Sequence, residues 1–144
     1  MTRPFIIVPA ATDELHFAQR VSRENMEKYY TALGRHWDAA IFEASWPATE
    51  NYSILAGDLP IGVLRLRPDA DAIYISDLQI ASGNQGRGAG GFALTFVERL
   101  ARERGLGRIR LRAFSSSAAV RLYQRAGFRK IADESGKQLF ERVL

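Results

Sequence analysis

The segment Gln85-Gly86-Arg87-Gly88-Ala89-Gly90-Gly91 carries the most specific chemical signal in the chain, with four glycines in seven positions and an arginine among them. Glycine lets a backbone approach a ligand closely and take dihedrals that other residues avoid. Strand-forming residues, Ala72 to Ile80, precede the segment, and a helical pattern follows it. A glycine-rich turn that opens a helix offers unpaired N–H groups and the positive end of the helix dipole, an anion site suited to phosphate. Arg87 would neutralise charge there.

Two familiar phosphate motifs fail on context. A P-loop needs Lys and then Ser or Thr after its last glycine, and Phe92 follows Gly91. Gly86, Gly88 and Gly91 do satisfy G-x-G-x-x-G, but a dinucleotide unit needs an acid about 20 residues on, at the end of the next strand. That strand, Arg108 to Ala113, runs instead into Phe114 and three serines.

The elements that must position this turn follow from local patterns. Phe5 to Val8 reads as a strand closed by Pro9, and Thr12-Asp13 starts a helix that Gly34 ends. Trp37 to Ala44 is a second helix, closed by Trp46-Pro47. Three meandering strands follow: Tyr52 to Ala56, Ile61 to Leu66, and Ala72 to Ile80. After the turn, Phe92, Phe96 and Leu100 are spaced by four, with Ala93 and Val97 beside them, which predicts a helix and its core face. Ile109, Leu111 and Ala113 alternate with Arg108, Arg110 and Arg112, a strand with one apolar face and one basic face read as structural. Ser115 or Ser116 caps a helix reaching Ala126, with Gly127 past its end. Phe128 to Ile131 and Gln138 to Val143 close a hairpin around Gly136. The order is β-α-α-β-β-β-α-β-α-β-β. We read residues 1–144 as one α+β domain with a mixed, mostly antiparallel sheet of six to seven strands and about four helices.

Composition narrows the classes. The 144 residues are 47% hydrophobic and 25% charged, which suits a globular core. The absence of cysteine excludes a disulfide scaffold, a thiol nucleophile and a thiolate metal site. With no signal peptide and no membrane-spanning run, the reading is a soluble, cytoplasmic protein. Twenty basic and 16 acidic residues give a net charge of +4, which would suit a polyanionic ligand. Nucleic acid is excluded for want of a zinc motif or a basic tail with interleaved aromatics.

Gln85, Gly88 and Gly90 occupy the fixed positions of a Q/R-x-x-G-x-G/A pattern, and Ala119 to Phe128 reads A-x-x-L-Y-x-x-x-G-F. These resemble motifs A and B of the GCN5-related N-acetyltransferase (GNAT) superfamily, and the element order is similar across nearly the whole chain. The family often has Asn seven residues before the tyrosine; here Ser116 stands there and could cap the helix and reach a ligand.

The resemblance implies a three-layer fold and direct transfer of an acetyl group from acetyl-CoA, as co-substrate and without a metal, to a primary amine on a small molecule or peptide. It implies that residues 85–91 hold the pyrophosphate, that Leu78, Gln79 and Ile80 pair with the pantetheine arm like an added strand, and that Ser116 and Tyr123 also touch the cofactor. Tyr123 would be the acid that protonates the departing thiolate. Asp77 would be the base, deprotonating the amine through water, or would bind a cationic substrate; strict alternation puts it opposite Tyr74 and Ser76. His36 and Glu43 are weaker candidates for the base. Tyr29, Tyr30 and Trp37 could line the acceptor site, and Arg121 or Arg125 could approach the ribose phosphate. The alternative function is a catalytically silent acyl-CoA sensor. Many relatives pair through their C-terminal strands, so a homodimer is a further expectation.

Overall fold

The computed structural model describes residues 4–11 and 14–144. Along them run β1 (Phe5–Pro9), α1 (Leu15–Ala32), α2 (Ala39–Ser45), β2 (Glu50–Ala56), β3 (Leu59–Asp69), β4 (Ala72–Ile80), α3 (Ala89–Glu103), β5 (Arg108–Phe114), α4 (Ala119–Arg125), β6 (Arg129–Glu134) and β7 (Lys137–Val143). This is the order read from the sequence. The sheet is β1-β2-β3-β4-β5-β7-β6. Every neighbouring pair is antiparallel except β4 with β5, which the α3 crossover joins in parallel.

Two clusters hold three layers together. On one face, Ile54, Leu64, Leu66, Ile73, Ile109, Leu111 and Phe140 of the sheet pack with Ala93, Val97 and Ala101 of α3 and Tyr123 of α4. On the other, Ala18 of α1, Phe42 of α2 and Val63 of β3 form a smaller cluster. The core face of α3 holds Ala93 and Val97 as expected, with Phe96 and Leu100 packed at its edge, but Phe92 does not belong to it. Its buried stripe is Ala89, Ala93, Leu94, Val97 and Ala101, and Phe92 is 40% exposed. Small residues bring α3 close to the sheet, while Phe92 and Phe96 reach sideways to Phe5 and Tyr52, with ring centroids 5.8 and 5.2 Å apart.

Several boundaries shift for local reasons. The Thr12-Asp13 cap falls outside the described residues. α2 begins at Ala39 because the Asp38 carboxylate accepts from Ala40 and Ile41 N–H, at 2.8 and 3.3 Å. Trp46–Ala48 is a 3₁₀ turn. β6 runs on to Glu134, because the hairpin turns at Ser135-Gly136, both at positive φ. At the end of α4, Gly127 N–H bonds Gln124 O and Phe128 N–H bonds Tyr123 O, a Schellman closure. Its start differs from expectation: the capping oxygen is Ser117 Oγ, which accepts from Ala119 N–H at 3.2 Å, and neither Ser115 nor Ser116 does this.

One irregularity controls which side chains face which layer. Arg65 of β3 pairs with Asp77, but the next residue, Leu66, pairs with Ile75, so Ser76 bulges without a partner. Directly paired residues share a face. Tyr74 opposite Arg67 and Asp77 opposite Arg65 therefore lie together on the α1 side of the sheet. This corrects the alternation argument, which put Asp77 opposite Tyr74. Beyond the bulge, β3 and β4 approach very closely at Gly62. A Cβ there would stand 2.6 Å from Gln79 O and 2.9 Å from Ile80 Cδ1. Backbone cannot yield as a flexible side chain does. Gly62→Ala should therefore lower stability by about 2–3 kcal/mol in urea unfolding; a loss below ~0.5 kcal/mol would show that the strands part without strain.

Candidate active site

Parallel pairing between β4 and β5 covers only Ala72–Ile75 against Arg108–Leu111. Past that point the two strands diverge, and a cleft of about 900 Å³ opens between Ser76–Ile80 and Arg112–Phe114. Tyr123 lines it from α4, the glycine turn borders one end, and Tyr29, Tyr30, His36 and Trp37 border the other. Leu78, Gln79 and Ile80 line it along a strand edge that β5 has left unpaired.

The glycines divide into three roles. Gly86 and Gly88 have φ of +76° and +91°, which a side chain would strain. Gly88 sits directly before α3, whose first bond runs from Phe92 N–H to Gly88 O, leaving the amides of Ala89, Gly90 and Gly91 without an intrahelical acceptor. Gly90 admits α4, since a Cβ there would meet Leu122 Cδ2 at 2.7 Å. Gly91 meets neither condition. Gln85 Nε2 donates to Ile80 O at 3.0 Å and ties the turn to the strand it follows. Arg87 is exposed and does not line the cleft, whereas Arg125 does and Arg121 does not. Ser116 is also exposed and outside the lining; its neighbour Ser117 is part of it.

Side chains from α1 hold the free end of β4. Ser22 Oγ donates to Asp77 Oδ2 at 2.9 Å, and Gln79 Nε2 donates to Asp77 Oδ1 at 2.7 Å. Asn25 Nδ2 donates to Gln79 Oε1 at 3.1 Å and to Ile80 O at 2.9 Å. Burial pushes the Asp77 carboxyl above the usual carboxylate range, against the bonds from Gln79 and Ser22 and the charges of Arg65 and Lys137. Arg65, only 4% exposed, lies over the Phe42 ring at 4.3 Å and donates to Ser45 Oγ at 2.9 Å. Burial lowers its pKa, and Asp77 opposes that. Ser22, Asn25 and Arg65 were missed in the sequence. The available signal was that Ser22 and Asn25 continue the inward stripe of Ala18 and Val21 on α1.

Tyr123 is 7% exposed, edge-on to Phe128 at 5.9 Å. Its hydroxyl makes no hydrogen bond to a described residue, so it stays available to whatever enters the cleft. Burial, and secondarily the charge of Asp77, push its pKa up, which keeps the phenol neutral across the physiological range.

The far wall is aromatic and cationic. Tyr29 stacks on Phe114 at 5.3 Å, and Tyr30 meets it edge-on at 5.2 Å. Arg112 bonds Tyr74 Oη at 3.1 Å and Glu134 at 2.7 Å, and both contacts raise its pKa. Arg108 and Arg110 are ion-paired with Asp71 and Glu141. The basic face of β5 is thus engaged within the fold. Glu43 is exposed and outside the cleft, while His36 is exposed but lines it.

The family model described as acetyltransferase (GNAT) family matches residues 16–128. No curated protein matches the sequence. Among solved structures, the chain resembles PaiA N-acetyltransferase from Thermoplasma acidophilum, solved in complex with coenzyme A, at 16% identity with a TM-score of 0.79, over 98% of this chain and 99% of that one. It resembles an acetyltransferase from Thermus thermophilus at 23% identity, TM-score 0.77, over 100% of both chains. A GNAT family acetyltransferase from Elizabethkingia anophelis, solved with acetyl-CoA bound, matches at 20% identity, TM-score 0.72, over 97% of this chain and 98% of that one. At these identities the likeness speaks for the fold.

The division of roles among the glycines is directly measurable. Gly88→Ala should cost about 1–2 kcal/mol of stability, since it forces a side chain into a left-handed backbone. Gly91→Ala should cost nothing and gain up to ~1 kcal/mol. Equal losses at both positions in denaturant titrations would contradict the assignment.

Proposed function

The chain belongs to the acetyltransferase (GNAT) family, and on that premise we propose that it moves an acetyl group from acetyl-CoA to a primary amine by direct attack on the thioester. The observation that carries this reading is the opening of β4 from β5 beside the neutral, unbonded phenol of Tyr123. The residues fit the co-substrate: an unpaired strand edge for a linear amide-bearing arm, leading to a turn of unpaired amides for a pyrophosphate. Two relatives of the same fold were solved with coenzyme A or acetyl-CoA. We assign the arm to Leu78, Gln79 and Ile80 and the pyrophosphate to Gln85, Gly86, Gly88, Ala89, Gly90 and Gly91. Ser117 takes the place first given to Ser116, and residues 1–144 act as one domain.

The reaction forms an N–C bond and breaks a C–S bond. A backbone N–H on the free edge of β4 would steady the oxyanion between these events. Asp77 takes the proton from the amine, directly or through water. Its raised pKa makes it a stronger base than an ordinary carboxylate, and its bonds to Ser22 and Gln79 fix its direction. Tyr123 gives its proton to the departing thiolate. The two groups line one cleft, and the charge of Asp77 helps keep the phenol of Tyr123 protonated.

Acceptor panels scored by thiol release, with calorimetry for acetyl-CoA, test these roles. Tyr123→Phe should reduce kcat ~100-fold or more while acetyl-CoA affinity stays nearly unchanged. Unchanged turnover would remove Tyr123 from the mechanism. Wild-type kcat/KM should rise with pH as Asp77 ionises; Asp77→Asn should lose that limb and keep only the rise due to the amine. Tight acetyl-CoA binding by the wild type, with no thiol release over any acceptor, would favour a sensor over an enzyme.

A further inference from the structure

The acceptor end of the cleft contains a cation whose charge reaches Asp77 but whose direct contacts are aromatic rings. Lys137 opens β7, lines the cleft, and makes no ion pair among the described residues. Its Nζ lies 4.9 Å from the centre of the Phe114 ring and 5.3 Å from that of Tyr30. Its backbone is well anchored. It pairs in register with Phe114, and the preceding Gly136 is seated against the end of α1, where a Cβ would come within 2.8 Å of Leu33 Cδ1. Two aromatic faces attract an ammonium, but they do not neutralise it as a carboxylate does.

The surrounding charges sharpen the selectivity. Arg112 is already bound to Glu134 and Tyr74, and Arg65 is buried between Phe42 and Trp46. Both oxygens of Asp77 accept hydrogen bonds, and Asp38 caps α2. Glu24 and Lys28 also line a shallow groove on the outer side of α1, away from the strands. Of the three carboxylates that line the cleft, Asp77 and Asp38 are thus engaged, while Glu24 sits one helical turn from Lys28, which offsets its charge, and the ammonium of Lys137 remains for a ligand. Such a site repels a second positive charge on an acceptor and favours the neutral, nucleophilic form of the amine.

We infer that the acceptor is a small amine that also carries a carboxylate, as an amino acid does, with Lys137 holding the carboxylate and Tyr30 and Trp37 flanking an apolar side chain. A polycationic amine is disfavoured. This rests on the transferase reading for the chemistry of the amine, but the anion contact itself can be measured without turnover.

The test compares amino acids with their decarboxylated partners: tryptophan with tryptamine, phenylalanine with 2-phenylethylamine, leucine with isoamylamine, and spermidine as the polycation. Binding to the coenzyme A complex is read by calorimetry, and KM by thiol release. At least one carboxylate member should bind about tenfold more tightly than its partner. Lys137→Gln should bring that ratio close to one, and Lys137→Arg should restore much of it, with acetyl-CoA affinity unchanged in both. A ratio of one or less in the wild type, a ratio that survives Lys137→Gln, stronger binding of spermidine, or no binding by any member would overturn the inference. Transfer to spermidine would do so while leaving the transferase reading intact. A carboxylate preference in binding with no thiol release from any amine would do the reverse.

Discussion

The end of β4 pairs with β3 on one edge only, and side chains of a helix supply the hold that β5 gives up on the other. Past Ile75, β5 no longer pairs with it. Ser22 and Asn25 of α1 reach Asp77, Gln79 and Ile80 instead. Hydrogen bonds to a charged group contribute about 1.5–3 kcal/mol each, so the bond from Ser22 to Asp77 is an effective tether. Without the bonds from Ser22 and Asn25, the five residues from Ser76 to Ile80 would have little beyond β3 to hold them. The cleft, the placement of Asp77 and the anchoring of Gln85 on Ile80 all depend on β4 staying where α1 holds it.

The bulge at Ser76 makes this tether possible. It turns Asp77 and Gln79 to the α1 side while Leu78 and Ile80 pack toward the α3 core. It also sets Asp77 opposite Arg65, so that a buried cation and a buried carboxylate face each other across two strands. Each offsets part of the desolvation of the other, which is why both keep polar partners as well. Tyr123 needs no such compensation, because its neutral form is the one that burial favours. One cleft thus contains a carboxyl shifted toward stronger basicity and a phenol held protonated.

Much of this was legible in the sequence because the signals are local. Strand and helix order follows from short hydrophobic periods, and the anion turn from four glycines between a strand and a helix. The closure of α4 follows from Gly127. What could not be read depends on distant partners. The bulge arises from the register between β3 and β4, and nothing around Ser76 announces it; strict alternation therefore put Asp77 on the wrong face. Ser22 and Asn25 lie more than fifty residues from the groups they bind. The cap of α4 lies at Ser117 instead of at Ser115 or Ser116, because three consecutive serines give the sequence no way to choose. The core stripe of α3 was read in part: Ala93 and Val97 lie in it and Phe96 and Leu100 pack at its edge, but Phe92 is left exposed, because close packing on a sheet favours Ala89 and Ala101, which hydrophobicity did not single out.

The proposal that the gap between β4 and β5 holds the thioester beside Tyr123 is tested most directly by a crystal structure of the coenzyme A complex. The pyrophosphate should lie on the amides between Gly86 and Gly91, the pantetheine arm along Leu78–Ile80, and the sulfur within hydrogen-bonding reach of Tyr123 Oη. Coenzyme A bound outside this gap, or a sulfur remote from Tyr123 with β4 and β5 zipped together, would contradict it.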